Sequence, residues 1–230
     1  MGQIKMFGAI PRLKSVTPEW FHDHYRHPHG TMGRTISIMR AYIQSHQIHS
    51  DLLGPEQTHF EATAEVWVDS IDDARSFGTE PNYVIHVKPD EPLFVDLENL
   101  RFLWADEEVI HAGVSWSEED SDYADKLFRL DRRPTSVKLL QYVLRDGTQQ
   151  WDGPDDYELG RRIGALRHVR CRPVAELHPD GAFAIGVREL YWPTKLAMEE
   201  GVAADPAAWE ALVKRPAESI QYVANAERFM

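Results

Sequence analysis

The pattern of hydrophobic and polar positions predicts two helices and four strands in the first half of the chain. Period-two alternation, which is typical of a half-buried strand, occurs in four segments: residues 3–10, 35–48, 59–69 and 99–110. A helical pattern runs through "EWFHDHYRH" after the first strand, and "IDDARSF" follows the third. The resulting β-α-β-β-α-β order is that of ferredoxin-like domains.

The predicted helix boundaries have physical signals. Thr17 is an N-cap residue, and the proline after it fits the first helical position. The first helix should end at Pro28, because the residue before a proline avoids the helical region. Ser70 should cap the second helix. Three prolines interrupt residues 78–96, which are predicted to form a loop with short turns.

The second half of the chain repeats the first half weakly. Residues 135–147 lie over residues 2–14, and residues 219–229 lie over residues 99–109. The matched positions pair Lys5 with Lys138, Arg12 with Arg145, Glu65 with Glu189 and Trp67 with Tyr191. Because these matches keep the same order along the chain, they indicate an internal repeat.

The repeat predicts the fold class and the domain organisation. Two four-stranded sheets with helices on one face each leave two bare sheet faces, which are buried most simply against each other. We therefore expect an α+β protein with two tandem ferredoxin-like halves packed sheet to sheet as an intramolecular barrel. The expected division is residues 1–113, an acidic linker at 114–135, and residues 136–230.

Strand alternation then predicts which side chains line the barrel. Tyr42, Gln44 and His46 share one strand face, and Glu65 shares a face with Trp67. The opposite, largely aliphatic faces would suit the helices. The five polar and aromatic residues should therefore face the interior and form an aromatic pocket with titratable groups. The alternative is that they hydrogen-bond to one another and close a polar core.

Composition and charge exclude several classes of protein. The net charge of −12 argues against a general nucleic-acid binder, and the arginine-rich residues 159–172 predict a solvated helix with an inter-strand charge network. No apolar run approaches the roughly 18–20 residues of a membrane span. The single Cys171 excludes an intramolecular disulfide and, with an N-terminus unlike a signal peptide, predicts a reducing cytoplasm.

Four of the eleven histidines are crowded into residues 20–34. His22 and His27 lie off the apolar stripe of the predicted helix and should face solvent. His24 shares that stripe. His29 follows the helix end, where it would either act in acid/base chemistry near neutral pH or cap free carbonyl groups.

The first half resembles the EthD family of the dimeric α+β barrel superfamily. The matching features are Phe21 and Tyr25 on the first helix, His29-Gly30 at its end, the Tyr-x-Gln-x-His pattern of residues 42–46, and "AEVWVDSIDDAR" at residues 64–75. The resemblance covers about residues 3–110. The second half resembles the family only in strand pattern and lacks a His-Gly equivalent. The resemblance therefore implies one working site, in the first half, and a second half that mainly completes the barrel.

The superfamily that this resemblance points to includes cofactor-free monooxygenases, isomerases, cyclases, decarboxylases, dehydratases and haem enzymes. The expected fold therefore does not identify the reaction. The expected catalytic residues are His29, His46, Tyr42 and Glu65, and the expected substrate-binding residues are His24, Tyr25, Gln44, Trp67 and Phe102. Either histidine would be the base, and Tyr42 would donate to a developing oxyanion. Glu65, held in an apolar barrel, would be the acid.

Three functions stay open at this point. The first is a cofactor-independent lyase or isomerase acting on a small aromatic or polyketide-like substrate. The second is a cofactor-free aromatic monooxygenase, and the third is a non-catalytic binding protein. His22 and His24 project roughly 200° apart on a helix, and there is no HExxH, GxGxxG or Walker motif. We therefore expect no metal and no cofactor, and the sequence leaves homodimerisation open.

Overall fold

Eight antiparallel strands form the frame of the molecule, four from each half of the chain. The computed structural model describes residues 3–53, 59–111, 134–144, 150–216 and 218–230. The strands are β1 Ile4–Ile10, β2 Ala41–Ile48, β3 Ala62–Val68, β4 Arg101–His111, β5 Thr135–Val143, β6 Arg167–Pro173, β7 Gly186–Trp192 and β8 Ser219–Arg228. They close into one barrel in the order β1-β3-β2-β8-β5-β7-β6-β4. The predicted fold class, an intramolecular α+β barrel, is confirmed.

Helices cover the outer face of the barrel. They are α1 Pro18–His24, α2 Ile71–Ser76, α3 Asp156–Arg162, α4 Lys195–Ala204 and α5 Pro206–Val213. Thr17 caps α1 and Ser70 caps α2, as predicted. In the described part of the chain, no helix has both the length and the apolar character needed to span a membrane.

The chain breaks its helical path before Pro28, as predicted. A π-helical turn, Tyr25–Gly30, follows α1, and His27 within it has extended dihedral angles (φ −149°, ψ 124°). A single helical turn, Thr31–Gly33, comes next. Residues 35–40, which were expected to belong to the second strand, are turns instead. The residues predicted as a loop at 78–96 contain only short helical turns.

Strand register confirms most of the internal repeat. Lys5 lies opposite Trp67 in the first half, and Lys138 lies opposite Tyr191 in the second. The match between the last strands is wrong by one residue, because Ala105 and Ala224 are the true equivalents. The sequence match had followed two aromatic residues that face opposite sides of the barrel wall.

Two of the sequence predictions concern residues outside the described ranges. These are the pairing of Arg12 with Arg145 and most of the predicted linker at 114–135. Thr135 already belongs to β5. The division of the chain at 113 and 136 therefore stays a prediction.

The face assigned to β2 is wrong. Ile43 lies directly opposite Glu65, so Ile43 points into the barrel with that carboxylate. Tyr42, Gln44 and His46 consequently point outward into the helical layer. The physical reason is that the end of the first helical segment offers polar partners to the outward face of β2. Polar side chains can therefore be satisfied on that face as well as in the polar middle of the barrel. The assignment of β3 is right, since Glu65 and Trp67 face the interior.

Four buried charges meet inside the barrel. The Lys5 ammonium lies 2.9 Å from Glu65 Oε2 and also contacts Glu189. The Lys138 ammonium lies 2.9 Å from Glu189 Oε1 and also contacts Glu65. All four side chains have no exposed surface. The residues paired by the sequence repeat thus form a ring of alternating lysines and glutamates, here called the charge ring. Burial raises the pKa of Glu65, although Lys138 and Lys5 oppose this effect.

Candidate functional site

An apolar cavity lies outside the barrel, between the first-half sheet and its helices. Its volume is about 60 Å³, several times the roughly 10–15 Å³ that one water molecule needs. The sheet contributes Met6, Gly8, Ile10, Tyr42, Ala64 and Val66, and β4 with the segment before it contributes Phe102 and Leu100. The helical side contributes His29, Gly33, Ile36, Met39, Phe77, Tyr83, Val87, Glu91, Phe94 and Val95.

The wall of this cavity is hydrocarbon except at four side chains: His29, Tyr42, Tyr83 and Glu91. A few converging polar groups in an apolar cavity are the usual composition of a small-molecule site. The equivalent layer of the second half is filled instead by a cluster that includes Trp192, Trp209 and Met198. The geometry therefore favours one site in the first half.

His29 is held by an aspartate. Its Nδ1 lies 2.9 Å from Asp90 Oδ2, and its ring packs edge-on against Phe94 with centroids 4.9 Å apart. Burial raises the pKa of Asp90, but hydrogen bonds from His29 and His24 lower it by more. The pKa of Asp90 therefore lies below its ordinary value. The ionised carboxylate accepts the Nδ1 proton. His29 Nε2 has no hydrogen-bond partner among the described residues, which leaves its lone pair available as a base.

His24 supports the same carboxylate. Its Nε2 lies 3.0 Å from both oxygens of Asp90, and its ring stacks on Trp20 with centroids 4.5 Å apart. His24 does not line the cavity. It therefore acts on His29 through Asp90.

A carboxyl group and a phenol face the cavity together. The Tyr83 hydroxyl donates to Glu91 Oε1 at 3.0 Å. Burial raises the pKa of Glu91 against the opposing effect of this hydrogen bond. Burial and the neighbouring Glu91 also raise the pKa of Tyr83. Glu91 is thus a carboxyl group disposed to carry a proton.

Tyr42 adds a second phenol to the wall. Gln44 Nε2 donates to its hydroxyl oxygen at 2.7 Å. Burial raises the pKa of Tyr42 to about 12, although hydrogen bonds with Gln44 and Tyr25 oppose this. At neutral pH Tyr42 is therefore a neutral hydroxyl and a proton donor.

Close packing explains why residue 30 is a glycine. A Cβ atom at this position would lie 2.6 Å from Gln44 Nε2 and 2.6 Å from a ring carbon of Phe229. Only glycine lets the turn after His29 approach β2 this closely. The His-Gly pair thus combines a cavity-lining imidazole with the space that the Tyr42–Gln44 pair requires.

His46 belongs to a separate hydrogen-bonded chain behind the wall. Its Nε2 lies 3.1 Å from Gln44 Oε1, and its Nδ1 lies 2.9 Å from Nδ1 of His22. His22 Nε2 lies 3.2 Å from Glu61. Burial, with the nearby Arg26 and His22, lowers the pKa of His46 to about 2. His46 is therefore neutral and a poor base.

The expectation that His22 faces solvent is wrong. Its side chain is 16% exposed, because it packs over the outward face of β2 and pairs with Glu61. His27 is exposed and contacts only Thr31 by hydrogen bonding among the described residues.

The structure separates the residues that the sequence had grouped. Three of them line the cavity: His29, Tyr42 and Phe102. Four lie behind its wall: His24, Tyr25, Gln44 and His46. Glu65 and Trp67 lie across the sheet in the barrel interior, where Glu65 belongs to the charge ring. For Glu65, the geometry supports the alternative of a polar core.

Sequence reasoning missed Tyr83, Asp90 and Glu91. All three belong to the segment predicted as a loop, which carries no periodic pattern. A signal was nevertheless present, since Asp90 and Glu91 stand between two prolines. Prolines restrict the backbone and can hold adjacent side chains in place.

The other candidate groups have partners. Among the described residues, the carboxylate and thiol atoms of Glu107, Cys171 and Glu189 lie close enough to share a metal ion. The Lys5 ammonium already contacts both carboxylates. In the second half, Arg170 and Arg172 pair with carboxylates of Glu108 and Asp152, which is the predicted inter-strand network.

One solved structure of low sequence identity shares this architecture. An anthrone oxidase-like protein superposes with a TM-score of 0.63 at 12% identity, covering 99% of this chain and 92% of that one. A variant chlorite dismutase from Candidatus Nitrospira defluvii gives a TM-score of 0.48 at 9% identity, with 99% and 92% covered. No functionally curated protein matches the sequence.

The chain thus shares the overall fold of the anthrone oxidase-like protein. The model of the EthD domain family matches residues 13–98. This range includes all the residues of the His29–Asp90 pair and the Tyr83–Glu91 pair.

Proposed function

We propose that this protein is an enzyme that moves a proton on a small aromatic or polyketide-like substrate held in the first-half cavity. One observation carries the proposal: His29 lies on the wall of an apolar cavity with Nδ1 fixed on Asp90, and its Nε2 has no hydrogen-bond partner in the part of the chain that the structure describes. An imidazole oriented in this way is a general base.

The residues suggest the direction of each proton transfer. His29 Nε2 takes a proton from a carbon next to a carbonyl group, and the electron pair of the C–H bond moves onto the carbonyl oxygen. The enolate is stabilised by a hydroxyl donor, for which Tyr42 is the candidate. In an isomerisation His29 returns the proton to another carbon. In a dehydration protonated Glu91 gives its proton to the departing hydroxide, which leaves as water.

This proposal changes the acid assigned from sequence. Glu65 has two lysine partners and lies on the far side of the sheet, and His46 is held neutral behind the wall. Glu91 takes the role of the acid because it shares the cavity with His29.

Solvent hydrogen exchange tests the proposal without knowledge of the natural substrate. The probe is 1-indanone, a small aromatic ketone with a methylene group next to its carbonyl. We expect the protein to accelerate deuterium incorporation at that carbon in D₂O, measured by mass spectrometry. His29→Gln should lower the catalysed rate by about 100-fold or more, the usual scale for loss of a general base.

The matched control is His49→Gln. His49 is exposed and pairs with Asp51 outside the cavity, so this variant should keep the parent rate. Equal losses in both variants would contradict the role of His29.

A cofactor-free oxygenase is the second candidate, because the hydrocarbon wall around His29 would also shelter a carbanion from water until O₂ reacts with it. The probe is anthrone, which with O₂ gives anthraquinone and water. Oxygen uptake that depends on His29 would support this candidate. Binding of both probes without exchange or oxygen uptake would contradict an enzyme and favour a binding protein.

A further inference from the structure

The orientation of the Gln44 amide follows from its surroundings. Gln44 Nε2 lies 2.7 Å from the backbone carbonyl oxygen of Tyr25. A carbonyl oxygen only accepts hydrogen bonds, so the atom beside it must be the amide nitrogen. The second hydrogen on this nitrogen is donated to the Tyr42 oxygen, also at 2.7 Å.

The other end of the amide is held as well. Gln44 Oε1 accepts from His46 Nε2 at 3.1 Å. Gln44 has no exposed surface. The Tyr25 carbonyl oxygen therefore fixes the orientation of the amide, because turning it over would place two acceptor oxygens 2.7 Å apart.

This orientation determines where the Tyr42 proton can point. The Tyr42 oxygen accepts from Gln44, so its own proton is directed elsewhere. The buried Tyr25 hydroxyl also forms a hydrogen bond with Tyr42 that lowers the pKa of Tyr42, as a donor does, so Tyr25 donates to the same oxygen. Among the described residues, no further protein atom accepts the Tyr42 proton. Tyr42 lines the cavity. A ligand in the cavity is the available acceptor.

We propose that Gln44 is a positioning residue that directs the Tyr42 proton into the cavity, which therefore selects ligands carrying an oxygen acceptor, such as an aryl ketone or its enolate. The proposal rests on the proposed function for its choice of aromatic ligands. It extends that function by naming the group of the ligand that is recognised and the residue that sets the recognition.

Binding of two matched probes tests this inference without any turnover. The probes are 1-indanone and indane, which share a carbon skeleton and differ in the carbonyl oxygen. Affinities are measured by NMR titration for the parent protein and for Tyr42→Phe. We expect Tyr42→Phe to lower the ratio of indanone to indane affinity by about five- to tenfold, the usual effect of one lost hydrogen bond.

Gln44→Glu tests the positioning role. The new carboxylate would accept the Tyr42 proton and withdraw it from the cavity. We expect the affinity ratio to fall as far as in Tyr42→Phe, with little further loss when both substitutions are combined, since coupled residues are not additive. Gln150→Glu makes the same chemical change at an exposed position and should leave the ratio unchanged.

Indane affinity and thermal unfolding report whether the cavity is intact in each variant. If Gln44→Glu does not fold, Gln44→Met replaces it, because it removes the amide donor at similar volume. An unchanged ratio in Tyr42→Phe would overturn the inference, as would failure of both probes to bind the parent protein. An equal loss from Gln44→Glu in the parent and Tyr42→Phe backgrounds would overturn the positioning role. None of these outcomes depends on catalysis, so exchange activity can fail or succeed independently.

Discussion

The crowded histidines have different partners and therefore different chemistry. His29 and His24 share one carboxylate, Asp90, and only His29 reaches the cavity. His22 and His46 contact each other through their Nδ1 atoms at 2.9 Å. His27 lies at the surface. The four histidines near the start of the chain and His46 thus differ in their surroundings: His29 lines the cavity, His24 supports its aspartate, His22 pairs with His46, and His27 is exposed.

The protonation of the His22–His46 pair can be predicted from its hydrogen bonds. Gln44 Oε1 requires a proton on His46 Nε2, and the low pKa of His46 leaves its Nδ1 as an acceptor. His22 then donates from Nδ1 to His46 and from Nε2 to Glu61. Burial raises the pKa of Glu61, but His22 and Arg12 lower it more, so it is an ionised acceptor.

Long-range proton–nitrogen NMR at pH 6 shows directly which ring nitrogens of His22 and His46 carry protons. We expect His46 to be neutral with its proton on Nε2, and His22 to carry a proton on Nδ1. Gln44→Met removes the acceptor of the His46 proton and should give a mixture of His46 tautomers. A parent protein with the His46 proton on Nδ1 would contradict the assigned orientation of the Gln44 amide.

At the scale of elements, the site depends on how closely the turn after α1 approaches β2. Gly30 and Gly33 lie in this turn, where a Cβ at Gly33 would come 3.1 Å from the Tyr42 ring. Two small residues therefore bring His29 and Tyr42 onto one cavity wall.

Gly30→Ala should be destabilising. Its Cβ would overlap Gln44 and Phe229 at 2.6 Å, and overpacking of this kind usually costs about 1–3 kcal/mol. Urea unfolding measures the loss, and the exchange rate with 1-indanone should fall with it. Gly78→Ala is the control, because a Cβ there meets nothing within 4 Å. Equal stability of Gly30→Ala and the parent would show that the turn can move away from β2.

Alternation and capping signals predicted the order of elements because they depend on local physics. Thr17 and Ser70 began helices where expected, and the helical path breaks at His27, directly before Pro28, although α1 itself ends at His24. The face of β2 could not be predicted in this way. By polarity alone, Ile43 would pack against the helical layer and Gln44 would face a polar barrel interior. Their placement depends on partners far away in sequence, namely Glu65 and the end of α1. Asp90 and Glu91 were missed for the same reason, since a loop's position relative to a cavity is a tertiary property.

At the scale of the whole molecule, the two halves are joined at the charge ring. Each lysine contacts the glutamate of its own half and that of the other half. Although burial raises the pKa of Glu189, Lys138 and Lys5 hold it well below its ordinary value. A buried charge that loses its counterion is much more costly than a ring that loses one charge of each sign.

Lys5→Met should therefore lower the free energy of unfolding by about 3–5 kcal/mol, because it leaves an excess buried carboxylate. Adding Glu189→Gln removes that excess, and the double variant should be more stable than Lys5→Met alone. Lys214→Met is the control: its partner Glu210 is exposed and the pair should contribute less than about 1 kcal/mol. Urea unfolding of the parent and the variants gives the comparison. If the losses of Lys5→Met and Glu189→Gln simply add, the four charges do not act as a ring, and the two halves are held together by the apolar barrel core instead.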